Sequence, residues 1–269
     1  MGNTKQRTIH GFGRPVGLLC LALAATVASS AQDEQTSPDA AKFILYSTTS
    51  TGGGGYSLLR VGPTTGAQHL VGQSGQAADL SFLTANPVSN VLYGTAYDSG
   101  VLYTIDPKSG AISGEVTLSQ NVSTIAASAN GTLYGLSGNT LGTINTTTGQ
   151  FSPVGTLSLR SGYFLVAMAF SPGGKLYGVT LTDVGGFDQQ LITLNPATGA
   201  TTRDLGSLTS DYNVGDITYA ADGYIYATNF SSALLKIDPR TLSNTVIGSG
   251  NIGALGGIAA LGSIAGKDR

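Results

Sequence analysis

Tryptophan is absent from the 269 residues, cysteine occurs once and histidine twice. The cysteine, Cys20, and one histidine, His10, both fall within the first 31 residues, so the remainder keeps only His69. A disulfide framework, a thiol nucleophile and a thiolate metal site are thereby excluded from residues 32–269. Zinc draws mainly on His and Cys ligands, and one histidine does not make such a site. His69 sits in the strand-like stretch GAQHL and reads as a surface or packing residue. Charged residues make up only 10% of the chain. No apolar run reaches the roughly 20 residues that a membrane-spanning helix requires.

The longest apolar run, residues 16–28, follows Lys5, Arg7 and Arg14 and precedes the small residues Ser29, Ser30 and Ala31. This order of charge, apolar core and small-residue site is that of an export signal, so residues 1–31 are read as a cleaved signal peptide. Residues 32–41 are read as a flexible leader and 42–269 as a single domain. Periplasmic or extracellular localisation follows, with no membrane span after signal removal. Three of the 13 basic residues belong to the signal; the remaining ten face fifteen acidic ones, a net charge of −5. A nucleic-acid or anionic-membrane partner would require clustered positive charge instead.

What the chain has in abundance is repetition. The segment LYTIDPKSG (102–110) is echoed by VGPTTG (61–66), INTTTG (144–149), LNPATG (194–199) and IDPRT (237–241). Tyr46, Tyr93, Tyr134, Tyr177 and Tyr226 are spaced by 47, 41, 43 and 49 residues. Thirty-nine glycines and an absence of helical periodicity point to short strands joined by tight turns. In each Asp/Asn-Pro-x-Thr/Ser-Gly element, Pro presets φ, the Asx side chain bonds the backbone ahead of it, and Gly takes the left-handed position. Asp106, Asn195 and Asp238 are therefore turn-formers. Asn130-Gly131 reads as a two-residue type I′ hairpin.

A four-stranded unit repeating every forty-odd residues is a propeller blade. The innermost strands are placed at 79–82, 123–128, 166–171, 216–220 and 257–261. The last has no second strand after it, and 43–46 has no inner strand before it. The expected fold is an all-β, five-bladed β-propeller of four-stranded antiparallel blades, its last blade closed by the N- and C-terminal strands. The units, AFSPGGKLYG (169–178) among them, resemble the bacterial exported propeller repeats of the NHL, YVTN and SMP-30-like group. That resemblance implies a propeller fold and export. Its members include lactone hydrolases, lyases and pure binding proteins, so it implies no one activity. The missing tryptophan removes the usual stacking residue of quinone-binding propellers.

In such a fold the first–second and third–fourth strand turns share one face, and here they are formulaic. The other connections share the opposite face and vary, which is where binding groups collect. That face gathers Tyr97, Asp98, Tyr163, Phe164, Phe187, Asp188, Asp211 and Tyr212, with Asp183 and Phe230 beside them. The reading that follows is a non-catalytic binding or scaffold module for a carbohydrate, peptide or protein ligand, with no cofactor. An alternative is a glycan-type hydrolase or lyase, in which Asp79 and Asp216 at the channel mouth act as a carboxylate pair. Calcium, which prefers oxygen ligands, has a candidate loop at 183–188.

Overall fold

The computed structural model describes residues 43–51, 55–75, 79–182, 188–208, 213–229, 233–248 and 255–262. These residues form twenty strands in five antiparallel four-stranded sheets, with no helix among them. The first blade is β1 (Phe43–Ser50), β2 (Tyr56–Val61) and β3 (Gln68–Ser74), with β20 (Ile258–Gly262) as its inner strand. The second is β4 (Phe82–Asn86), β5 (Val91–Thr95), β6 (Ser99–Ile105) and β7 (Ile112–Val122). The third is β8 (Thr124–Ala127), β9 (Leu133–Ser137), β10 (Thr140–Ile144) and β11 (Phe151–Thr156). The fourth is β12 (Tyr163–Phe170), β13 (Leu176–Thr182), β14 (Asp188–Leu194) and β15 (Thr201–Ser207). The fifth is β16 (Val214–Tyr219), β17 (Ile225–Asn229), β18 (Leu234–Ile237) and β19 (Asn244–Ile247).

The ring closes as the orphan strands require. β20 pairs with β1 from Phe43↔Gly262 to Ser47↔Ile258. The five repeat tyrosines all lie on the second strand of their blade. Five apolar clusters fill the five interfaces between successive blades. One, for example, sets Tyr56 and Leu58 of the first blade against Leu92 and Ile105 of the second. Each blade thus buries both faces against its neighbours.

A strand at the axis has a free edge, whose amide groups need acceptors. The preceding blade supplies them. Thr84 Oγ1 accepts from the Ala127 amide at 3.0 Å, and Thr218 Oγ1 accepts from the Ala260 amide at 2.9 Å.

Turn chemistry explains the opposite edge of each blade. Asn145 Oδ1 accepts from the Thr147 amide at 2.9 Å, and the Gly149 amide bonds back to the Asn145 carbonyl at 2.8 Å, with Gly149 at φ 72°. Asp106, Asn195 and Asp238 repeat this arrangement, accepting from Lys108, Ala197 and Arg240. In the fifth blade the glycine position is held by Leu242 at φ 61°, its side chain packed on the cluster between the fourth and fifth blades. No such substitution is open to Gly149, because a Cβ there would run into the Thr117 carbonyl. Gly149→Ala is expected to cost more than about 2 kcal/mol, from left-handed strain plus that backbone clash. The urea midpoint checks this, and an unchanged midpoint would show that the turn relaxes freely.

Two local expectations are corrected. The Asn130-Gly131 hairpin is not a type I′ turn: Gly131 has φ 87°, but Asn130 stays in the negative-φ region. Ser128 and Thr132 close a loop of three residues ending in a left-handed glycine, and Gly174 and Gly223 end the equivalent loops at φ 83° and 87°. The inner strand of the second blade starts at Phe82, not Asp79, so Asp79 precedes the strand rather than opening it.

Candidate functional site

On the variable face, the connections of the third blade are minimal. Ser123 alone joins β7 to β8, and Gly138-Asn139 joins β9 to β10. The flanking connections are longer: 96–98 in the second blade, and 157–162 between the third and fourth. A cleft of about 620 Å³ opens over the short loops, walled by Tyr97 and Asp98 on one side and by Arg160, Tyr163 and Phe164 on the other. Its floor is fixed by a reciprocal pair of bonds. Asn139 Nδ2 donates to the Leu157 carbonyl at 3.1 Å, and the Leu157 amide donates to the Asn139 carbonyl at 2.9 Å.

One wall is held by a side-chain network. The Tyr163 hydroxyl donates to Asp188 Oδ2 at 2.7 Å, and Gln190 Nε2 donates to the same carboxylate oxygen at 3.1 Å and to the Tyr163 oxygen at 3.2 Å. The Tyr163 hydrogen bond lowers the Asp188 pKa, and the same bond raises that of the Tyr163 phenol. The Arg160 guanidinium lies 5.5 Å from the centre of the Tyr163 ring, within cation–π range. Tyr97 is 67% exposed and Phe164 45%, the only aromatic side chains among the described residues left so open. Asp98, at φ 48°, holds the tight turn beside Tyr97.

Four residues expected from the sequence, Tyr97, Asp98, Tyr163 and Phe164, therefore meet at one cleft, and Asp188 joins them through Tyr163. Phe187, Asp211 and Tyr212 lie outside the described residues, as do Asp183 and Phe230. Arg160 is a member that sequence reasoning missed. The only signal for it was a lone arginine in a connection that matches no repeat element.

The two channel acids have different fates. Asp79 is exposed, ahead of β4. Asp216 is only 1% exposed. Its Oδ2 accepts from the Leu83 amide at 3.0 Å and the Ile258 amide at 2.9 Å. One side chain of the fifth blade thereby ties the inner strands of the first and second blades. Burial pushes the Asp216 carboxyl well above the ordinary carboxylate range, and the amides of Ile258, Leu83 and Ile217 offset that only in part. Its Oδ1 is buried without a partner among the described residues. A sealed Asp216 and an exposed Asp79 do not form the open two-carboxylate cleft that glycoside cleavage requires.

At the formulaic end of the axis, Thr84, Ala127, Phe170, Thr218 and Ala260 border a cavity of about 60 Å³, room for a few waters. Among the described residues, no three His, Cys, Asp or Glu side chains gather as a metal cluster.

No family model and no curated protein matches the chain. Solved structures do superpose on it. A chain in a nidogen/laminin complex superposes with a TM-score of 0.52 at 13% identity, covering 81% of this chain and 97% of that one. Hydrazine synthase from Kuenenia stuttgartiensis gives a TM-score of 0.48 at 18% identity, covering 82% of this chain and 66% of that one.

Proposed function

We propose that this protein is a non-catalytic binding module that takes its ligand in the cleft over the third blade. The observation that carries this reading is the gathering of two exposed rings, a guanidinium with no ion pair among the described residues and a hydrogen-bonded tyrosine around one opening of about 620 Å³. Exposed aromatic side chains on a rigid frame give contact area at low entropic cost, and aromatics with arginine dominate binding energetics. The sealing of Asp216 weighs against hydrolysis. A chain of the same fold occurs within a nidogen/laminin complex, in accord with a propeller face serving as a platform. The reading includes export to the periplasm or cell exterior after removal of residues 1–31, a leader at 32–41, and membership of the NHL, YVTN and SMP-30-like group of repeats.

The test is hydrogen exchange during titration with a panel of peptides and neutral oligosaccharides. A binding member should protect 96–98 and 157–165, and Tyr97→Ala with Phe164→Ala should weaken it by at least about tenfold, the loss of one strong aromatic anchor. Protection centred elsewhere, or affinity indifferent to both substitutions, would sink the reading.

A further inference from the structure

We infer that the cleft selects a peptide segment of a partner protein in which an acidic side chain adjoins an aromatic or branched aliphatic one. This rests on the cleft being the binding site, and it names the ligand class.

The argument begins with what the polar groups of the cleft are already doing. Asn139 spends its amide on the Leu157 carbonyl. Ser158 Oγ accepts from the Thr201 amide at 3.0 Å, and the Ser158 carbonyl accepts from Thr201 Oγ1 at 2.8 Å. Ser123 Oγ donates to the Leu136 carbonyl. Asp188 Oδ2 accepts from both Tyr163 and Gln190. A reader of sugar hydroxyls needs several convergent donors and acceptors, and each of these side chains is already bonded within the protein.

Among the described residues, two rings, one guanidinium and one carboxylate of the cleft make no side-chain hydrogen bond. The rings of Tyr97 and Phe164 present apolar area. Arg160 is exposed, makes no ion pair among the described residues, and is held in place by the Tyr163 ring at 5.5 Å. A guanidinium with its fork of N–H donors unspent is matched by a carboxylate, which it takes in a bidentate pair. Because the Tyr163 hydroxyl is pinned by Asp188 and Gln190, the surface that orients Arg160 is preorganised and little side-chain freedom is lost on binding. Asp98, exposed on the opposite wall, is placed to accept from a peptide N–H of the same segment. The occupant that uses all of these groups is an extended peptide with a carboxylate and a neighbouring apolar side chain.

The experiment is selection of a random 12-residue peptide library displayed on phage against the full chain, with Arg160→Ala and Arg160→Lys as parallel targets. Enriched peptides should carry Asp or Glu within two positions of an aromatic or branched aliphatic residue. A synthetic copy of the best should lose at least about tenfold in affinity to Arg160→Ala, with partial recovery in Arg160→Lys, which keeps the charge but not the fork. Replacing its acid with the corresponding amide should cost the wild type the same factor and cost Arg160→Ala nothing. Enriched peptides that are neutral or basic yet depend on Tyr97 and Phe164 overturn this inference and leave the binding cleft standing. An oligosaccharide bound at 96–98 and 157–165, with no peptide enriched, does the same. Ligands that ignore all of these side chains overturn both.

Discussion

Deleting residues 256–269 is expected to abolish cooperative unfolding and send the protein into aggregates. The deletion removes β20, which supplies the inner strand of the first blade and its whole pairing with β1. It also removes Ile258 and Ala259, both fully buried, and the Gly257 carbonyl that accepts from the Ser47 hydroxyl and the Thr48 amide. Burying one isoleucine is worth about 1.5–3 kcal/mol. Each ladder hydrogen bond adds about 1 kcal/mol net. With five paired positions lost, the total approaches the about 5–15 kcal/mol that stabilises a domain. What remains exposes β1, whose sequence FILYSTTS is an uncharged strand edge of the kind that pairs between molecules. Size-exclusion chromatography and a urea titration decide the matter. A soluble truncation with the parent's midpoint would mean that closure contributes little.

The closure was legible in the sequence because each clue is local. The Asx-x-x-Thr/Ser-Gly turns, the regular tyrosines and the two unmatched end strands can be recognised without knowing any distant neighbour. Local chemistry is ambiguous at two places. The short stretch from Asp79 to Phe82 holds no Gly or Pro, so nothing local separates Asp79 from the strand that begins at Phe82. Asn130-Gly131 suits a type I′ turn as well as the three-residue loop that forms, and pairing of Ser128 with Thr132 decides between them.

The candidate site was half legible for a related reason. Tyr97, Phe164 and Asp188 are legible because variable connections on a repeat protein share one face. The cleft itself exists because residues are missing above the third blade, where Ser123 is the whole of one connection. An opening made by brevity leaves no motif. Arg160 gains its significance only from the Tyr163 ring beneath it. Asp216 illustrates the limit from the other side. An acid near the start of an inner strand reads as a channel-mouth group, yet its environment is set by Leu83 and Ile258, 133 and 42 residues away.

Asp216→Ala is expected to lower the melting temperature by roughly 5–15 °C. Two buried amides, those of Leu83 and Ile258, would lose their shared acceptor. Each buried donor left unsatisfied costs about 1–3 kcal/mol, and about 1 kcal/mol moves the midpoint of a domain this size by about 2–4 °C. Asp216→Asn keeps an acceptor oxygen and separates the charge from the hydrogen bonds. Because burial raises the folded-state pKa of Asp216 above its unfolded value, the folded protein holds its proton more tightly than the unfolded chain. The stabilisation from that proton is full below the unfolded value of about 3.9 and is lost as pH climbs from there to the folded pKa. Each unit between the two values removes about 1.4 kcal/mol by the upper end of that window. The wild type should therefore weaken relative to Asp216→Asn as pH rises from about 4. At pH 4 the substitution should be mildly destabilising, since the new amide nitrogen has no acceptor waiting where Oδ1 lies unpartnered. By pH 8 it should be neutral or stabilising. Urea midpoints for both proteins at pH 4, 6 and 8 give the comparison, and the difference between them cancels the other titrating groups. Parallel profiles would show that the Asp216 carboxyl titrates alike in the folded and unfolded chain, and that its burial imposes no electrostatic cost on the ring.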